Sequence, residues 1–283
     1  MKELIEMRVD AKKAHLIFRE DELEPLSSPF TVRVVLPSDD PRMPEIIELQ
    51  RTTSAEGPGE YLIGGVYVTR RYTKAEWSAA ELFRVEVHTA FEPAGEECGT
   101  QYDESAVCPV CGAGRTRVGP LRLNVRRIPK QADVAETIAG DELVVSERVA
   151  DAIRAEGLTG VELMPVIHAG KSADSLPRWF ELGVVSSLLA FAPSSRFGSS
   201  PINPDNSSAC PVGDKAGFRL LSEATIVRPS SPLSDFHLTA QYLGNRRGLL
   251  VPYRTLLMSP RAERLLASFR PRKLYREVAY VVT

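Results

Sequence analysis

The apolar residues of this chain come in short runs, and clusters of Pro, Gly, Ser and Asp keep them short; residues 25–29, 37–44 and 54–60 are the first three such clusters. Each cluster removes backbone donors or favours turn conformations, so an extended helix or strand cannot cross it. With 21 prolines spread through 283 residues, the punctuation predicts many short strands and loops and argues against a helical bundle.

In the first ninety residues the runs 15–19, 30–36, 45–50 and 61–69 read as strands. Thr73 can cap a short helix through Glu81, because Glu76 falls at capping-box spacing. Residues 82–89 alternate and predict a strand, 91–114 a cysteine-bearing loop, and 120–128 a strand with Leu121, Leu123 and Val125 on one face. A sharper unit follows: strand 142–145, Ser146 as N-cap, helix 147–156 with Val149 and Ile153 inward, Gly157 as its stop, and strand 161–166. This is a β-α-β unit. Further strands are expected at 179–185, 220–227, 237–243 and 278–282. Ser259-Pro260 opens a helix over 259–269, with serine as cap and proline in the first turn. Residues 192–217, rich in Pro, Ser, Gly and Asn, form a stretch too long for a quiet connector.

A hydrophobic fraction of 43% with 25% charged residues excludes wholesale disorder. The net charge of −2 hides a polarity. Residues 228–283 hold ten cations against three acids, +7, which leaves −9 for the first 227 residues. No run approaches the roughly 18 apolar residues needed to span a bilayer, and acids stand where a signal peptide needs an apolar segment. The expectation is a soluble, cytoplasmic protein without membrane attachment.

Four cysteines, Cys98, Cys108, Cys111 and Cys210, are too few to staple a chain this long. Two of them stand as Cys108-Pro-Val-Cys111-Gly112. Thiolates two residues apart can share one tetrahedral zinc, and glycine after the second permits the tight turn that aims backbone N–H groups at the sulfurs. Zinc takes four ligands. Cys98 lies ten residues upstream and can be the third; Cys210, where Cys-Pro-Val recurs, can be the fourth. All four would make a closed and therefore structural Zn2+ site, with His88 and His168 as possible substitutes.

Other chemistries lack their residues. A redox reading of Cys108-Pro-Val-Cys111 needs a helix after the first cysteine, and Gly112-Ala-Gly argues for a turn. A zinc deaminase needs His-x-Glu and a proline where Val107 stands. His168-Ala-Gly-Lys-Ser172 resembles the end of a phosphate loop, but Pro165 occupies the first glycine's place. No Gly-x-Ser-x-Gly or His-Glu-x-x-His occurs, so no catalytic residue is assigned and a non-enzymatic role is expected. One alternative rests on charge. Arg115, Arg117, Arg122, Arg126, Arg127 and Lys130 occur between residues 113 and 130 without an acid, and with the basic C-terminus they could face a phosphate backbone. Aromatic residues are missing from that stretch, so bases would find no stacking platform.

Cys108-Pro-Val-Cys111-Gly and Cys210-Pro-Val-Gly-Asp, about a hundred residues apart, resemble the double-CXXCG motif family, a paralogous set of myxobacterial type. The unit at 143–166, which reads strand, Ser-Glu-Arg helix, Gly, strand, is similar to one shared by bacterial toxin-immunity families, and Trp179-Phe-Glu-Leu182 also fits. The resemblance covers roughly residues 80–283. It implies a β-rich zinc-ribbon protein that binds another protein, in some members a cognate toxin that it neutralises. Gly213 departs from the pattern, since it stands where the second motif has its second cysteine. The expected fold is α+β, β-rich, with a zinc-knuckle insertion and one β-α-β unit. An N-terminal β-rich region over 1–90 would precede a zinc-knuckle and α+β region over 91–283.

Overall fold

A computed structural model describes residues 1–57, 59–171, 176–202, 210–269, 271 and 274–283. The chain forms two compact units, Met1–Ser78 with Gly198–Asn206, and Ala79–Phe197 with Ser207–Thr283. Part of the long Pro, Ser and Asn stretch thus returns to the first unit.

In the first unit, Ile5, Met7 and Val9 alternate inward along β1 (Lys2–Asp10) and are buried. This period-2 burial makes β1 a central strand. With β2 (Glu24–Pro25), β3 (Thr31–Pro37) and β4 (Ile63–Arg71) it forms an antiparallel sheet of order β2-β3-β1-β4. Strand β1 goes beyond the sequence expectation, since Lys2, Glu3, Glu6 and Arg8 interrupt its apolar alternation with charges. Two predicted strands are corrected. Residues 15–19 hold a 3-10 turn over Ala14–Leu16, because Ala14 and Phe18, four apart, both point into the core. Residues 45–50 belong to helix α1 (Met43–Ala55), with Pro44 in its first turn. Six residues of Glu45-Ile-Ile-Glu-Leu-Gln mimic a strand, but burial of Met43, Ile46 and Thr53 with Ile47 packed beside them follows helical spacing. Helix α2 (Lys74–Ala79) carries the predicted capping box: Thr73 N–H donates to Glu76 at 2.7 Å, and Glu76 N–H to the Thr73 hydroxyl at 3.2 Å.

The second unit contains two five-stranded sheets. One brings together β5 (Leu82–Val87), β17 (Thr225–Val227), β18 (Phe236–Leu243), β19 (Tyr253–Met258) and β20 (Leu274–Val282) in the order β17-β20-β5-β19-β18. The other comprises β6 (Ala90–Phe91), β10 (Val134–Thr137), β11 (Leu143–Ser146), β12 (Val161–Pro165) and β14 (Trp179–Val184), ordered β12-β14-β11-β10-β6. Between β11 and β12 runs α3 (Glu147–Ala155), which buries Val149, Ala150 and Ile153. Both flanking strands pair antiparallel to β14, which lies between them, so the β-α-β unit is present as a split one. Ser146 adopts the N-cap conformation, yet its hydroxyl donates to Asp133 at 2.7 Å instead of capping α3. Ser259 caps α4 (Pro260–Ser268) as expected, accepting from Ala262 N–H at 3.2 Å.

Shorter elements carry the cysteine loop. β7 (Gln101–Asp103) and β8 (Thr116–Val118) pair antiparallel, so residues 104–115 form the tip of a hairpin inside the segment expected to be loop. β9 (Arg122–Leu123) and β13 (Ile167–His168) pair in parallel. The expected strand over 120–128 is corrected: it ends at Leu123 and passes into a 3-10 turn, Val125–Arg127. Val125 and Ile128, three apart, are both buried, which the turn allows by bringing them to one side. The two-residue strands β15 (Phe197–Gly198) and β16 (Arg219–Leu220) lie either side of Cys210 in the sequence. The architecture is α+β and β-rich, and no helix among the described residues is long and apolar enough to cross a membrane.

Candidate metal centre

The tip of the β7–β8 hairpin is a tight turn. Gly112 N–H donates to Cys108 C=O and Cys108 N–H to Ala113 C=O, each at 2.8 Å, which folds Cys111 back over Cys108. Gly112 must be glycine here: its φ is +78°, and a Cβ would stand 2.5 Å from Cβ of Arg246. Arg246 in turn donates its N–H to Cys111 C=O at 2.9 Å and pairs with Glu104, so the turn is held from the segment after β18. A second, similar turn arrives from residues 210–214. Gly213 N–H donates to Cys210 C=O at 3.1 Å, and Lys215 N–H then reaches Tyr242 C=O on β18 at 2.9 Å.

These turns gather three buried sulfurs. Cys210 Sγ lies 3.8 Å from Cys108 Sγ and 3.7 Å from Cys111 Sγ, and all three atoms fall within 4.8 Å of one another. Ala113, Ala216 and Tyr242 pack around them. A zinc ion with four ligands and Zn–S bonds near 2.3 Å requires sulfur–sulfur edges of about 3.8 Å. Two of the three distances match that edge, and the third pair, Cys108 and Cys111, lies within 4.8 Å.

Their electrostatics are uneven. Backbone N–H groups of Cys111 and Val110 point at Cys108 Sγ and hold its thiol below the usual range, as expected where a turn stabilises thiolate charge. Burial pushes the Cys111 thiol up to about 12, against the N–H of Ala113. A metal ion would have to displace that proton, and in doing so would compensate the buried charge.

Asp214, unnoticed in the sequence, lies against the group. The residue is buried; Oδ1 accepts Tyr242 N–H at 2.9 Å, while Oδ2 stands 3.7 Å from Cys111 Sγ and 4.0 Å from Cys210 Sγ. The signal that could have found it is the Cys-Pro-Val-Gly-Asp pattern itself, with an acid one place beyond the missing cysteine.

The other expected ligands stay apart. Cys98 is half-buried in the turn before β7, where burial raises its thiol and Asn124 N–H points at its sulfur; it is not one of the grouped thiols. The group of three therefore differs from a tetrathiolate built on Cys98. His88 is exposed, sits 3.0 Å from Glu86 and stacks on Tyr275, and His168 lies on β13. His237 is buried with both ring nitrogens engaged, by Ser234 N–H on one side and Ser186 and Ser187 on the other, a structural arrangement. Of the phosphate-loop remnant, Ser172 lies outside the described residues.

The basic stretch is partly neutralised. Arg115, with a side chain 5% exposed, pairs with Asp141 at 2.7 Å and Glu96 at 3.4 Å, and stacks on Tyr102 at 3.9 Å. Arg117 pairs with Glu181, and Arg122 is half-buried. Arg126, Arg127 and Lys130 are exposed. In the basic C-terminal part, Arg228 pairs with Glu81, Arg246 with Glu104 and Arg276 with Glu263, while Arg270, Arg272 and Lys273 lie outside the described residues. Compared with known proteins, the sequence matches no family model and no curated protein.

Proposed function

We propose that this chain is a non-enzymatic binding protein whose second unit is built around one structural zinc ion, held by the thiolates of Cys108, Cys111 and Cys210. The observation that carries the reading is the 3.7 and 3.8 Å spacing of three buried sulfurs contributed by two separate turns. When bound, the ion compensates thiolate charge and cross-links the turns. The chain's own part is to present the sulfurs at that spacing, with Cys108 stabilised by backbone N–H groups and water excluded by Ala216 and Tyr242. All three sulfurs are buried, which suits a structural role better than a catalytic one, whose open position must be reached by substrate.

The proposed role of this scaffold is to bind another protein, a toxin in an immunity setting, and to cover its active site. Support comes from the resemblance of the 143–166 unit and of the two cysteine turns to immunity-related proteins, together with the lack of a catalytic motif. Nucleic acid is the weaker reading, since Arg115 and Arg117 are engaged by carboxylates of the same unit. The test is co-purification of the full chain with the product of the adjacent gene, followed by the toxicity of that product with and without this chain. Binding and rescue by wild type, weakened in Cys108→Ser, are expected. A partner bound equally by metal-free protein would detach the metal from the function, and binding of generic RNA or DNA with a steep salt dependence would favour the alternative.

A further inference from the structure

Resting on the zinc reading above, we propose that Asp214 supplies the fourth ligand, so that the centre is three thiolates and one carboxylate. The two turns are alike up to a point: each begins Cys-Pro-Val and each returns an N–H to the carbonyl of its first cysteine, at 2.8 Å from Gly112 and at 3.1 Å from Gly213. In the first, the residue before the glycine is Cys111. In the second, the glycine itself occupies the place after Val212, in the left-handed conformation at φ +84°. The turn therefore closes one residue early, and the next side chain to reach the sulfurs is that of Asp214. A carboxylate one residue further along does what the missing cysteine would have done.

Two of the three distances from Asp214 to the sulfurs agree with a ligand. With Zn–S near 2.3 Å and Zn–O near 2.1 Å, a tetrahedral centre sets sulfur–oxygen edges of about 3.6 Å. Oδ2 of Asp214 stands 3.7 Å from Cys111 Sγ and 4.0 Å from Cys210 Sγ, which matches two of the three edges; it lies more than 4.8 Å from Cys108 Sγ, so binding would require the carboxylate to turn toward Cys108. The carboxylate is also oriented. Its other oxygen accepts the backbone N–H of Tyr242 at 2.9 Å, a donor fixed by β18, which turns Oδ2 toward the thiols.

Zinc-edge X-ray absorption and competitive chelator titration on the full chain test this, using wild type, Asp214→Asn and Asp214→Cys. Expected are three sulfur and one oxygen neighbours in wild type, zinc affinity at least about 100-fold weaker in Asp214→Asn, and four sulfur neighbours in Asp214→Cys. Wild type without bound zinc would remove the zinc reading itself. Zinc bound in wild type by four sulfurs, or with affinity unchanged in Asp214→Asn, would leave that reading standing and overturn the role of Asp214. Should Asp214→Asn fail to fold, Asp214→Cys decides: four sulfurs support the assignment, and a retained oxygen neighbour refutes it.

Discussion

Replacing Glu136 by glutamine should flatten the pH dependence of stability, and in a known direction. Glu136 is half-buried on β10, between β6 and β11. Burial, reinforced by the charges of Asp141 and Glu86, pushes its carboxyl from an ordinary 4.5 up to about 8. Between those values the folded chain keeps a proton that the unfolded chain has released. Stability is therefore full below the unfolded value and is lost as pH rises to about 8, beyond which both states are ionised. At about 1.4 kcal/mol per pH unit the interval corresponds to at most about 5 kcal/mol. Glutamine has no proton to lose, so the variant should match wild type near pH 4.5 and exceed it progressively toward pH 8. Urea unfolding of both proteins at half-unit steps measures this, and the difference between them cancels the titration of groups common to both. A difference that stays constant from pH 4.5 to 8.5 would refute the reasoning.

Three further perturbations address the site and the fold. Gly112→Ala puts a Cβ into a left-handed backbone and 2.5 Å from Arg246 Cβ, next to backbone and unable to swing away; a loss of about 2–4 kcal/mol in denaturant unfolding is expected, and a neutral result would contradict the described turn. Cys98→Ser should leave metal content and affinity unchanged, since Cys98 lies outside the grouped thiols; loss of metal would show that a four-cysteine centre forms. Ile46→Ala removes a fully buried side chain from α1 and should cost about 2–5 kcal/mol by the same assay. A cost near zero would return residues 45–50 to the surface.

Local signals carried much of this architecture. Caps and stops located α4 and α3, because Ser259-Pro260 and Gly157 act through backbone groups within a turn. Cys108, Cys111 and Cys210 could be singled out because thiols are few and their spacing is chemically restrictive. What escaped depends on partners distant in sequence. Arg115 looked available to phosphate until Asp141 closed on it, and Arg117 until Glu181 did. Cys98 sits only ten residues from Cys108, but the β7–β8 pairing comes between them and carries Cys108 and Cys111 to the hairpin tip. In β1 charged residues mask a regular alternation, and in α1 the six residues 45–50 are too few to separate period 2 from period 3.6. The place of Asp214 beside the thiols was not legible, because the early closure at Gly213 shifts the expected position by one.

The proposed centre is one zinc ion on the three thiolates of the second unit. Elemental analysis of the full chain, purified without added metal or chelator, tests it most directly. One zinc per chain is expected in wild type, with a large loss in Cys210→Ser, the thiol that the second turn brings to the first. Wild type free of zinc, or Cys210→Ser with undiminished zinc, would contradict it.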